Sequence, residues 1–416
     1  MKTKNIDLIN QKIYYEELSN GLKFYLVKDD RFDSYVVSYF TNYGALDLSF
    51  YYQNELKETN PGIAHFLEHK VFETKDETSI FEFFAKSGTV SNAFTSYVMT
   101  NYWISGNKNY ANNLNKILSF VNSPNITEKN VEKEKGIISE ELKMYEDTFD
   151  WKIDFEISKM VFKNSNFRHD IGGRVEDIMK ITKEELELCY DVFYNPVNMS
   201  LVICGNIDIE KTREIIKKHK LLNAKKKGEL PIKKEVPEPF EVVEKEKNIE
   251  IKNISPRINF VIKLEESEFD YENQIKYAMI VDSLFGSCSV FREKWENKLF
   301  KTLYGVSYYV DRRILVSFYS ITDKPDELVK AIKEEFQKKI SQKSFNLAKK
   351  NYVLKTLNSY STNKGLNLSI AFMLNEYGKI IDLKEVIDSI SLSDVEELRK
   401  SIDLENSSLL KINFPK

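Results

Sequence analysis

Cysteine is nearly absent. The three present, Cys189, Cys204 and Cys288, are scattered and odd in number. That excludes a disulfide framework or a cysteine-built zinc finger, and fits reduced residues in a reducing compartment. No sign of charge prevails: 61 Lys and Arg face 64 Asp and Glu, for a net charge of −3. Nucleic acid and anionic membrane are therefore not implied as partners. No apolar run approaches a membrane span, and Met1-Lys2-Thr3-Lys4-Asn5-Ile6-Asp7 has no apolar signal core, so a cytoplasmic location is expected. Histidine is scarcer still, with 4 in 416 residues. Two of those four lie in one pentapeptide, His65-Phe66-Leu67-Glu68-His69.

A chain of 416 residues is too long for one ordinary core, so at least two domains are expected. Alternation from Lys12 to Lys28 around Ser19-Asn20-Gly21 predicts a hairpin, and a strand follows near Ser34–Tyr43. Asn60-Pro61 predicts a helix start, Asn as cap and Pro in the first helical position. Thr89 to Trp103 alternates as one or two strands, and helical spacing recurs at Asn109–Val121, Glu128–Tyr145 and Ile181–Tyr194. Ser200–Gly205 reads as a buried strand. From Leu222 to about Lys247 the chain turns charged and aperiodic, with Pro231, Pro237 and Pro239, which predicts a linker. Beyond it the order recurs coarsely: a strand near Ile258–Leu264, a helix near Asn273–Leu284, strands near Gly305–Tyr319, then helices. The expected division is residues 1–221, linker 222–247, and residues 248–416, two α+β halves of similar build.

On a helix, His65, Glu68, His69 and Phe72 fall within about a third of the circumference. Ile63, Ala64, Phe66, Leu67 and Val71 make that helix apolar nearly all round, and such a helix is normally buried. Two imidazoles and a carboxylate are costly to bury without partners, and a metal is the usual compensation. Two neutral imidazoles with a third, carboxylate ligand suit zinc, with a fourth position left to water. The third ligand is sought on Glu128–Tyr145, whose apolar stripe is Val131, Ile137, Ile138, Leu142 and Tyr145. Only Glu134 and Glu141 lie within that stripe, and two carboxylates on a buried face need a cation. Glu141 is assigned as ligand and Glu134 as its neighbour and support. His169 and His219 read as structural or exposed.

The order His-x-x-Glu-His inverts the commoner His-Glu-x-x-His. With Gly62-Ile63-Ala64 before it, Ser91-Asn92-Ala93-Phe94-Thr95, and Glu134-Lys135-Gly136-Ile137-Ile138-Ser139-Glu140-Glu141, the chain resembles the inverzincin metallopeptidases of the pitrilysin/insulinase and mitochondrial-processing-peptidase family. Gly172-Gly173 with Ile181-Thr182, and Tyr194-Asn195-Pro196-Val197-Asn198-Met199 with Gly205-Asn206, extend the resemblance over essentially the whole chain. It is most similar in build to the half-size bacterial zinc subunits. The resemblance implies α/β-sandwich domains, mainly antiparallel sheet covered by helices, forming half of a clamshell chamber. It implies one Zn2+ per chain on His65, His69 and Glu141, with Glu68 as general base toward water. It also implies that an extended peptide adds as a strand beside Asn92, Ala93 and Phe94. Relatives carry an Arg and a Tyr in the second half that hold the substrate carbonyl. Arg292 and Tyr308 are the candidates, out of the usual register. A homologous companion supplying those groups is therefore expected, making this chain the zinc subunit of a heterodimer that processes or matures peptides. The alternatives are a peptide-clearing homodimer and a non-catalytic peptide-binding scaffold.

Overall fold

The computed structural model describes residues 1–75, 79–264 and 270–414, which gather into two compact units. The first comprises Met1–Met144, His169–Glu235 and Leu357–Leu383. Its frame is a sheet of β1 (Lys2–Ile6), β2 (Gln11–Glu17), β3 (Lys23–Lys28), β4 (Tyr35–Thr41), β7 (Val90–Thr95), β8 (Thr100–Gly106) and β9 (Met199–Gly205). Between β4 and β7 in sequence, β5 (Ser49–Tyr52) and β6 (Glu55–Glu58) join β10 (Ile232–Lys233) in a small separate sheet. The large sheet runs in the order β1-β2-β3-β9-β4-β8-β7, antiparallel throughout except for β3 beside β9. All seven residues of β4 are buried, because helices contact it and its neighbours: α3 (Tyr110–Val121), and the helix Asn363–Tyr377. Buried Asn367 of the latter donates to the Val202 carbonyl at 2.8 Å and accepts from Ser38 Oγ at 2.5 Å, so it enters the sheet face without an unpaired amide.

Helices α1 (Ile63–Val71) and α2 (Ile80–Ala85) contact β7, α1 also contacts β8, and α4 (Glu128–Glu146) packs Val131, Ile138 and Leu142 into the same core. Ile63, Phe66, Leu67 and Val71 are fully buried, as an all-round apolar helix requires. The start of α1 departs from expectation. Gly62, at φ +89°, occupies the cap position, so Asn60-Pro61 forms the preceding turn and the helix begins at Ile63.

The second unit comprises Tyr145–Arg168, Val236–Thr356 and Lys384–Lys416. Its sheet runs in the order β11 (Glu246–Ile249), β15 (Ser407–Ile412), β12 (Arg257–Lys263), β14 (Arg313–Ile321), β13 (Thr302–Val310), parallel only between β11 and β15. Helix α5 (Phe149–Val161) packs Ile153, Ile157, Met160 and Val161 against Val261, Leu410 and Ile412 of that sheet. The α+β character is as the sequence predicts, and the antiparallel bias is as the family resemblance implies.

The division of the chain is not contiguous. Helix α5 lies within residues 1–221 yet buries its apolar stripe in the second unit, while Asn363–Tyr377 lies within 248–416 and packs on β4 and β9 of the first. Apolar faces follow the sheet that covers them, whatever their place in sequence. Residues 222–247 are likewise partitioned. Leu222 is fully buried, Ile232–Lys233 pairs with β5, and from Val236 the chain belongs to the second unit. Among the described residues no helix is long and apolar enough to cross a membrane.

Candidate metal centre

Three glycines set the entry of α1. A β-carbon on Gly62 would lie 2.3 Å from the Gly172 carbonyl oxygen, and one on Gly173, at φ +73°, 2.4 Å from the Pro61 oxygen. Backbone therefore packs directly on backbone at the root of the helix, and His65 follows one turn later. The rings of His65 and His69 meet edge to face with centroids 4.7 Å apart. Across from them, α4 turns Glu134 and Glu141 toward α1, one helical stripe above the other.

Glu141 Oε1 lies 3.9 Å from His65 Nε2, and Glu141 Oε2 lies 3.5 Å from His69 Nε2. One ligand atom from each of the three residues falls within 4.8 Å of the others. Tetrahedral zinc with bonds of about 2.0–2.2 Å sets its ligand atoms about 3.3–3.6 Å apart. The two Glu141 separations, 3.9 and 3.5 Å, lie near that span, and the chemistry of the His65, His69 and Glu141 donors fits the ion. Burial, then the neighbouring His69, pushes His65 down to about 3, so its imidazole is neutral and its lone pair available. Burial works in the same sense on His69, but the Glu134 hydrogen bond and the surrounding carboxylates carry it above the usual value. Glu134 Oε1 lies 3.1 Å from His69 Nδ1, which places the ring proton there and turns Nε2 toward Glu141. Glu134 is lowered to about 2: burial opposes ionisation, and the His69 hydrogen bond with the Lys70 charge overcome it.

Glu68 sits on the same helix outside the group formed by His65, His69 and Glu141, 8 % exposed. Burial raises its pKa, against the lowering effect of Thr95, whose hydroxyl donates to Glu68 Oε2 at 2.6 Å. Thr95 is the last residue of β7, which stands at the edge of the sheet. Asn92, Ala93 and Phe94 precede it on that edge. Ala93 N–H donates to Asn92 Oδ1 at 2.8 Å, and Phe94 stacks on Phe372 with centroids 5.9 Å apart. The carboxylate best placed to move a proton is thus tied to the strand best placed to receive another strand.

Sequence reasoning passes over two residues of this site. Thr95 is unremarkable on an alternating strand. Lys70 carried a readable signal, since a lysine on a helix apolar all round has little access to solvent. It is fully buried, donating to Glu73 Oε1 at 2.7 Å, the Asn130 carbonyl at 3.0 Å and Glu134 Oε2 at 3.4 Å. The apolar stripe of α4 is narrower than its spacing predicts: Ile137 and Tyr145 are 47 % and 49 % exposed, while Val131, Glu134, Ile138 and Leu142 are buried. Arg292 and Tyr308 lie in the second unit. Arg292 donates to the carbonyls of Phe285, at 2.9 Å, and Leu303, and Tyr308 is raised above its usual pKa by burial. His169 is exposed, and buried His219 accepts from Leu222 N–H at 3.2 Å while its Nε2 lies 3.1 Å from Ser119 Oγ.

Comparison with known proteins bears on this geometry. The family profile described as Insulinase (Peptidase family M16) matches residues 54–171, and that described as Peptidase M16 inactive domain matches residues 180–352. The uncharacterized zinc protease YmfH of Bacillus subtilis is 31 % identical over 99 % of both chains. The crystal structure of an M16-like peptidase from Alicyclobacillus acidocaldarius superposes with a TM-score of 0.90 at 27 % identity, covering 97 % of this chain and 98 % of the other. The periplasmic protease PqqL of Escherichia coli shares the fold, with a TM-score of 0.79 at 17 % identity. That match covers 99 % of this chain but 48 % of PqqL.

Proposed function

We propose, from the premise that this chain belongs to the insulinase family of peptidases, family M16, that it is a zinc-dependent endopeptidase acting on extended or unfolded peptides. The observation that carries this reading is the meeting of the His65, His69 and Glu141 donors beside Glu68, with Glu68 anchored to the edge strand through Thr95. A peptide added antiparallel or parallel to β7 would be held by the outward-facing backbone groups of the segment Asn92, Ala93 and Phe94, through hydrogen bonds that tolerate many sequences. Zinc, when bound, would polarise the scissile carbonyl and acidify a water. Glu68 would accept that water's proton and return it to the leaving amine, a role suited to a carboxylate whose pKa burial has raised. Thr95 would hold the carboxylate while the proton moves.

The chain acts, in this reading, as the zinc-bearing half of a pair. Support comes from its coverage of 48 % of PqqL and from Arg292, whose donors are engaged by the Phe285 and Leu303 carbonyls. A companion of the same family would supply the cationic groups that hold the substrate carbonyl, and the product would be a processed or matured peptide. A cytoplasmic setting agrees with three cysteines that are all unpaired.

The test is zinc content and cleavage of unfolded fluorogenic peptides by wild type and Glu68→Gln, each alone and mixed with family companions. Zinc retained in both, with cleavage reduced about 10²–10⁴-fold in the variant, is the expected result. Zinc-loaded wild type that cleaves nothing with any companion would instead establish a peptide-binding scaffold. Equal rates alone and with a companion would refute the division of labour.

A further inference from the structure

We propose that Lys70 is a positioning residue of the metal centre: its buried ammonium is the fixed counter-cation that keeps the Glu134 carboxylate turned onto His69. This rests on the zinc reading above and extends it to a residue that touches neither substrate nor ion.

Lys70 follows His69 directly on α1, about 100° further round, so it points away from the ligand cluster and toward the start of α4. An ammonium in such a place is expensive, and an apolar side chain of the same length would be cheaper to bury. Its presence asks for a reason. Part of the reason is satisfaction: three acceptors, on Glu73, Asn130 and Glu134, take its three N–H groups. Those acceptors do not explain why a cation was needed at all.

Glu134 does. It is a carboxylate 7 % exposed, with one oxygen 3.1 Å from His69 Nδ1 and the other 3.4 Å from Lys70 Nζ. The terminal torsion of a glutamate is broad when only one oxygen is held. Here each oxygen faces its own donor, so the plane of the carboxylate is set by two points rather than one. With the ammonium removed, a buried anion would keep the imidazole N–H and the neighbouring Glu73 carboxyl group, and would lose the one cation that faces its second oxygen. Rotation or withdrawal of that carboxylate would release Nδ1, and with it the ring orientation that turns His69 Nε2 toward Glu141 at 3.5 Å. Glu73, 32 % exposed, shares the ammonium and stands beside Glu134, so one fixed cation holds two carboxylates together next to His69. The order of the chain Glu73, Lys70, Glu134, His69 is therefore acceptor, donor, acceptor, donor, ending at the metal ligand.

A lysine that merely clamps α1 to α4 through Asn130 would show the same distances, and the experiment separates the two. Zinc affinity is measured on the full chain by competition with a chromogenic chelator, for wild type, Lys70→Met, Glu134→Gln and the double variant. Loss of a group that orients a metal ligand weakens binding about 10–100-fold, and that is the loss expected for Lys70→Met. Because the lysine acts through Glu134, the double variant should bind zinc no more weakly than Glu134→Gln alone. Should Lys70→Met fail to fold, Glu134→Gln and the double variant still decide, since neither leaves a buried carboxylate at 134 unpaired. Wild-type affinity in Lys70→Met overturns the proposal. So does a double variant weaker than Glu134→Gln by the full factor seen for Lys70→Met, or, where that variant is lost, weaker by tenfold or more. A wild-type chain with no affinity for zinc would refute the zinc reading itself, and the proposal with it.

Discussion

Gly62→Ala and Gly136→Ala are the same chemical change, one at the root of α1 and one within α4, the helices that carry the candidate metal centre, and they should move stability in opposite directions. At Gly62 the backbone is at φ +89°, a region that costs an L-residue about 1–2 kcal/mol. The new methyl would stand 2.3 Å from the Gly172 oxygen and 2.7 Å from Ile178 Cδ1. The isoleucine can yield, but the backbone oxygen must retreat by roughly 0.7 Å in a close-packed interior, for a further 1–3 kcal/mol. The predicted destabilisation is about 3 kcal/mol. Gly136 lies exposed within α4, and a methyl there meets nothing within 4 Å. Alanine should stabilise that helix by about 0.8–1 kcal/mol, since it loses less backbone entropy on folding. Urea unfolding midpoints report both changes. Zinc affinity supplies a second readout, because a displaced Gly62 moves the root of the turn that carries His65. It should fall in Gly62→Ala and hold in Gly136→Ala. A Gly62→Ala chain within 0.5 kcal/mol of wild type would show that the glycine contact at the helix root carries no strain for a side chain, and the argument for the placement of α1 would fail.

Thr95→Val keeps shape and removes the hydroxyl that donates to Glu68 at 2.6 Å. Since a hydrogen bond to a charged group is worth about 1.5–3 kcal/mol, kcat should fall about tenfold or more with zinc content unchanged. An unaltered kcat would mean that Glu68 is oriented by packing alone. In the second unit, Lys263 Nζ donates to Glu238 Oε1 at 2.8 Å and to the Val161 and Pro239 carbonyls at 3.0 and 2.8 Å. Lys263→Met strands these acceptors and should destabilise the chain by about 3–5 kcal/mol in urea. Burial tends to raise Glu238, but Lys263 and the N–H groups of Lys163, Asn164 and Ser165 hold it below its ordinary 4.5. Its contribution is therefore present above pH 4.5 and is lost as pH falls below that value through the lowered one in the folded chain. Unfolding free energy measured against pH should decline more gently in Glu238→Gln than in wild type, and parallel declines would count against the assignment.

What is local and periodic was legible in the amino-acid sequence. Helical spacing placed His65, Glu68 and His69 on one face, and the same rule selected Glu134 and Glu141 from the acidic residues of α4. Alternation located the main strands of the large sheet. Where local signals competed, the reading slipped: Asn60-Pro61 looks like a helix start, yet the left-handed Gly62 begins the helix later. Long-range packing was not legible. Nothing in spacing says that α5 covers the second unit's sheet, that Asn363–Tyr377 returns to the first, or that β7 is left at an edge. Nor could it say that Thr95 would meet Glu68 across 27 residues, or that Lys70 would meet Glu134 across 64. Periodicity is a property of one element, whereas a partner for a buried charge comes from whichever element tertiary packing brings beside it. The candidate ligands could thus be nominated from sequence, while the groups that meet them, Lys70 and Thr95 among them, were decided only by the fold.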